Sequence, residues 1–162
     1  MDQLIPVLSI AALLGSAVVA GVFFAFSSFI MRALARLPTA EGVAAMQLIN
    51  VVVINPLFLG VFAGTAVVSL GMVVVAVLDW GQPAALFYLG GAGLYLVGTF
   101  LVTGIRNVPL NDELADLSPD HAGTRDTWDR YVRQWTGWNH VRTIAALVAA
   151  LFYCLGLLAG AA

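Results

Sequence analysis

Lysine is absent from this 162-residue chain, cysteine occurs once, histidine twice, and charged residues make up only 10%. A soluble domain usually carries about a quarter of its residues as charges. With 61% hydrophobic residues, this chain has too few charges to cover a water-facing surface. A lipid bilayer is the solvent such a composition suits. The net charge is −2 and no basic patch is present, so nucleic acid is excluded as a partner. The lone cysteine, Cys154, rules out an intrachain disulfide and any C-x-x-C exchange motif. It sits in the last apolar segment and reads as a small hydrophobe. His121 and His140 lie outside the apolar runs, whereas a haem held between spans wants histidine inside them. His-x-x-His and Glu-x-x-His spacings are missing, as are a hydrolase triad motif and a Gly-rich phosphate loop. The cofactor and metal expectation is therefore none.

What the chain has is length of apolar sequence. Four runs reach the roughly 20 residues that cross a hydrocarbon core: 4–31, 56–78, 84–105 and 141–160. Backbone groups in lipid must pair within their own segment, so these runs are helices. The expected architecture is all-α, a single membrane domain over 1–162 built as a four-helix transmembrane bundle. Ahead of the first run stands Asp2 with no basic residue, and the run is longer than a signal-peptide core, which separates it from a cleaved signal peptide. After it, Pro38 stops a helix, and Thr39 with Glu41 and Gly42 starts another. Val43, Met46, Ile49 and Val53 then recur at helical spacing. That piece is either a short interfacial helix or a long start to the second span, bent at Asn55–Pro56. Between spans three and four, Ser118, Pro119 and Asp120 read as a helix start. From about Thr124 a helix runs into the fourth span, with Gly137 as a bend. Pro109 is expected to stop regular continuation of the third helix, letting Asn111 turn back towards the bundle.

Every basic residue is arginine, and all seven flank the same ends of the spans. Arg32 and Arg36 follow the first span; Arg106, Arg125, Arg130, Arg133 and Arg142 lie between the third and fourth. The positive-inside rule makes that side cytoplasmic, places both termini on the other side, and suits an inner or plasma membrane. Trp80, Trp128 and Trp138 read as an interfacial aromatic belt.

Polar groups inside spans are expensive and face the bundle interior. Tyr88, Tyr95, Thr99, Thr103, Asn107 and Asn111 form one such stripe; Trp135, Asn139, Arg142 and Thr143 form another. Isolated Ser, Thr and Gly need be no more than helix-packing contacts. At the arginine-rich end, however, Asn55, Arg106, Asn107, Asn111, Trp135, Asn139 and Arg142 fall at similar depth. Multi-donor side chains meeting there could grip a polar group on an aromatic ligand. Alternatively they cap helix ends and snorkel to the interface.

The elements "RNVPLNDEL", Trp128 and "QWTGWNHVRT", with "NVVVINP" before the second span, resemble the anthrone-oxygenase-like membrane proteins. These are small four-helix proteins, many catalogued only as a domain of unknown function. The specific part is Asn107, Pro109 and Asn111 with Trp135, Asn139 and Arg142. The resemblance implies an oxygenase that converts an anthrone to an anthraquinone with dioxygen. Asn107, Asn111, Asn139 and Arg142, with Asn55, Thr103 and Tyr95, would contact the substrate, and Trp135 would form a wall. The base would be His140 or Asp112. The implied partner is a hydrophobic small molecule or lipid. A non-catalytic binding module, or a structural protein that associates with its own copies, are the alternatives the residues leave open.

Overall fold

A computed structural model describes residues 3–118 and 123–160. Among the described residues the fold is all-α, with five helices: α1 Leu4–Leu34, α2 Thr39–Val52, α3 Pro56–Leu78, α4 Ala84–Ala115 and α5 Thr124–Gly160. All but α2 are long and apolar enough to cross a membrane. Their lipid-facing sides carry exposed Val18, Val67, Leu86, Ile144 and Leu151, among others. In water such exposure would be costly, whereas in hydrocarbon it is the solvated state.

The local signals act as expected at two junctions. Pro38 is extended and α2 begins at Thr39, with Glu41 in its first turn. The α2–α3 segment is a true break, and α2 is a separate short helix. Asn55 is extended (φ −128°, ψ 158°), and its Oδ1 accepts from the N–H groups of Leu57 and Phe58 at 3.1 and 3.0 Å. Pro56 occupies the first turn, where its missing N–H is no loss.

Three expectations are corrected. Pro109 does not interrupt the third helix, which continues through it to Ala115. The reason is a change of hydrogen-bond step. Leu94–Leu101 and Thr103–Asn107 are π-helical, and the Val108 N–H donates to the Thr103 carbonyl, five residues back. Pro109 follows at the seam where the step returns to four, so its missing N–H falls outside the regular ladder. Trp128 is not a belt residue: it is 2% exposed and packs with Met31, Leu34, Val43 and Met46. Gly137 lies within uninterrupted α-helix. The expected helix start at Pro119 and Asp120 lies outside the described residues, as does His121.

Two buried clusters result. One fills the middle of the bundle, with Phe23, Phe62, Met72, Tyr95 and Tyr153. Helices α4 and α5 approach closely there: a Cβ on Gly98 would lie 2.6 Å from the Ala145 Cβ. Tyrosines tie both helices to α3, Tyr95 donating to the Phe62 carbonyl at 3.0 Å and Tyr153 to Ser69 Oγ at 2.8 Å. The second cluster caps the arginine-rich end, where α2 packs on the ends of α1 and α4 and on the start of α5. Gln47 anchors this cap by donating to the carbonyls of Leu114 and Leu117 at 2.8 and 3.0 Å.

Candidate functional site

Between the two clusters lies a cavity of about 290 Å³ to which every helix contributes. Its walls are aromatic: Phe23 and Phe26 from α1, Phe58 and Phe62 from α3, and Trp135 from α5. Phe58 and Phe62 stack with centroids 5.8 Å apart, and Phe26 leans on Trp135 at 5.5 Å. Four side chains bring polar atoms to this apolar slot: Asn50, Thr103, Asn111 and Arg142.

Arg142 is the centre of the polar side. It is 3% exposed. Its Nη2 donates to Asn139 Oδ1 at 2.7 Å and its Nη1 to Thr103 Oγ1 at 3.2 Å. The guanidinium carbon stands 4.1 Å from the Phe23 ring centroid and 5.1 Å from that of Trp135. No carboxylate joins it; among the described residues the only ion pair links Arg130 and Glu113. A buried charge without a counter-charge is costly. Here neutral dipoles and ring faces are its whole compensation.

The neighbours fix that guanidinium. Asn139 Nδ2 donates to the Phe23 carbonyl at 2.7 Å and to Ser27 Oγ at 2.8 Å, which turns its oxygen towards Arg142. Asn111 Oδ1 accepts from Tyr131 Oη at 3.0 Å and Trp135 Nε1 at 2.8 Å, and its N–H donors make no bond among the described residues. Two buried donors on cavity-lining residues, Asn50 Nδ2 and Arg142 Nε, make no hydrogen bond of normal geometry among the described residues. Each is a buried donor left without a bond, a cost of roughly 1–3 kcal/mol.

The expected site residues divide sharply. Thr103, Asn111, Trp135 and Arg142 line the cavity, and Asn139 stands directly behind Arg142. Asn107 is buried next to this group, donating to the Trp135 carbonyl at 3.2 Å while its Oδ1 has no partner. Asn55 and Tyr95 do not line the cavity. Asn55 is engaged as the α3 cap, and the Tyr95 hydroxyl is engaged with α3. The two base candidates also lie elsewhere. His140 and Asp112 are exposed. Each follows a site-facing asparagine by one residue, and one residue turns a helix by about 100°. Arg106 stacks on Trp138 at 4.7 Å instead of entering the cavity.

Asn50 was not among the residues expected at the site. The signal was available: it follows Met46 by four and precedes Val53 by three, on the face that α2 turns to the bundle. No group of three His, Cys, Asp or Glu that could hold a metal occurs among the described residues.

A family model described as anthrone oxygenase matches residues 55–152, more than half of the chain. The chain belongs to the anthrone oxygenase family. The matched region carries Thr103, Asn111, Trp135, Asn139 and Arg142, while Phe23 and Asn50 reach the same cavity from outside it. No curated protein and no solved structure gives a significant match.

Proposed function

We propose that this membrane protein of the anthrone oxygenase family oxidises a flat, hydroxylated aromatic compound of the anthrone type within the ring-lined cavity. The observation that carries the reading is Arg142, a buried cation with no carboxylate partner, set at the polar side of an aromatic slot. At about 290 Å³ the cavity lies near the lower end of small-molecule sites, which suits one compact planar ligand.

The chemistry follows from charge. An anthrone loses a proton from its central methylene carbon to give an enolate whose negative charge sits largely on oxygen. Arg142, with Asn50 and Asn111 as further donors, favours that anion over the neutral ketone. With His140 and Asp112 outside the cavity, the proton leaves to water, and acidification by Arg142 takes the place of a side-chain base. The carbanion centre gives its electron pair to dioxygen, forming a carbon–oxygen bond and, once protonated, a hydroperoxide. Loss of water breaks the O–O bond, takes the remaining C–H proton and leaves the quinone carbonyl. One dioxygen is consumed; one of its atoms ends in the quinone and the other in water.

The lining formed by the described residues, donors and aromatic rings, suits equally a second reading, a binding module that holds the same class of anion without turnover. Incubating the purified protein with an anthrone, with and without air, separates the two. Catalysed quinone formation that needs dioxygen, and exceeds the rate without protein, supports the oxygenase. Binding without acceleration supports the module. Neither binding nor turnover with hydroxylated polycyclic compounds overturns both. We place the arginine-rich end in the cytoplasm, with both termini opposite, on the positive-inside rule.

A further inference from the structure

A second recess, apolar over most of its floor through Met31, Ala35 and Val132 and bordered by basic side chains, lies apart from the cavity. It is a shallow groove of about 340 Å³ between the arginine-rich ends of α1 and α5. Arg32 lines it from α1; Arg133, Thr136, Gly137 and His140 line it from α5. No acid does. Asp126 and Asp129 precede Arg133 on α5 but do not border the groove. Thr136 Oγ1 is buried and without a partner. Gly137 gives the groove its depth, because a Cβ there would meet nothing within 4 Å. Glycine in a helix interior is otherwise unfavourable.

The face that holds the groove continues into the membrane. Arg133, Gly137, His140, Ile144, Leu147 and Leu151 are spaced by fours and threes and are all exposed. Such spacing keeps them on one side of α5. Its outer end is cationic and its inner part is purely aliphatic, the polarity profile of a phospholipid in one leaflet.

We infer that this groove seats the phosphate of an anionic phospholipid, whose acyl chain lies along Ile144, Leu147 and Leu151. Arg32 and Arg133 carry the planar donor forks that suit phosphate oxygens. Among the described residues the groove's charged border is basic alone, which favours a net negative lipid over a zwitterionic one.

Native mass spectrometry of the full chain in mild detergent tests this, with phosphatidylglycerol and phosphatidylcholine added in equal amounts. The expected result is preferential retention of phosphatidylglycerol that inorganic phosphate does not displace. Arg32→Gln combined with Arg133→Gln should lower that retention on the order of tenfold, as each arginine near a lipid surface contributes to binding. Gly137→Leu keeps every charge, favours helix and fills the groove, so it should lower retention as well. Equal retention of the two lipids by the unaltered protein overturns the inference. Displacement by inorganic phosphate, or retention undiminished by Gly137→Leu, also overturns it. Should the arginine double variant fail to fold, Gly137→Leu decides alone.

Discussion

Asn139 presents its side-chain oxygen to Arg142 Nη2 at 2.7 Å while its nitrogen is held by the Phe23 carbonyl and Ser27. One amide therefore links the α1 backbone to the buried cation one helical turn further along α5. The guanidinium is oriented by a neutral neighbour and keeps its full charge for whatever occupies the cavity.

Removing that link should loosen the charge. Asn139→Ala leaves Arg142 Nη2 without its partner and removes a second donor from the Phe23 carbonyl, which still accepts from the Phe26 N–H. A loss of about 2–3 kcal/mol is expected. Thermal unfolding in detergent measures it, and an unchanged midpoint would show that Asn139 does not hold Arg142.

Arg142→Met should separate stability from activity. Methionine fills the space without a charge. Release from an unpaired buried cation offsets the lost bonds to Asn139 and Thr103, so stability should change by no more than about 1 kcal/mol. Turnover of an anthrone should fall by about 10²–10³-fold, the loss typical of an oxyanion donor. Retained turnover would remove Arg142 from the mechanism.

Thr103→Asp supplies the carboxylate that the site lacks, beside Arg142 Nη1. The free protein should keep its fold, while the ligand anion meets a guanidinium that is already neutralised. Affinity for a hydroxylated anthrone should drop by about tenfold or more. Titration of ligand fluorescence reads this directly; tighter binding would contradict an anionic ligand.

Asn50→Leu tests the residue on α2. It deletes an unpartnered buried donor, so the free protein should be no less stable. The expected cost is in turnover, about 10²-fold if its N–H meets the developing oxyanion. Equal turnover would confine the site to the other helices.

Gly98→Ala and Gly93→Ala form a matched pair. At Gly98 the new methyl would sit 2.6 Å from the Ala145 Cβ, and neither methyl can rotate away. Helices α4 and α5 must part, at a cost of about 1–3 kcal/mol. At Gly93 a Cβ meets nothing within 4 Å, and alanine should be neutral or stabilising. Equal midpoints for the two variants would exclude close packing at Gly98.

The spans were legible because hydrophobicity summed over twenty residues dominates any local signal; Pro56–Leu78 appears at the expected bounds. Trp135, Asn139 and Arg142 were legible because they fall on an α-helix of regular step, where spacing maps onto a face. Asn55 misled because an asparagine before proline is equally suited to capping and to binding, and spacing does not distinguish them. Asn50 was missed because α2 was read through its apolar residues alone. Trp128 misled because the cap formed by α2 covers an end of the bundle that a four-span picture leaves open to the interface.

The π-helical stretches of α4 carry a consequence for comparing this chain with its relatives. In a regular α-helix, each step of four residues overshoots a full circle by about 40°. From Tyr95 through Thr99, Thr103 and Asn107 to Asn111 the overshoot would reach about 160°, turning Asn111 towards lipid. The wider π turns absorb that surplus, and Asn111 faces the cavity. A π turn amounts to one extra residue let into the helix. A relative lacking one of the two stretches would reach the same site one residue sooner. Aligned with this chain, it would show a single-residue gap before its asparagine–proline element, a gap that records a rotation of the helix and not the loss of a loop.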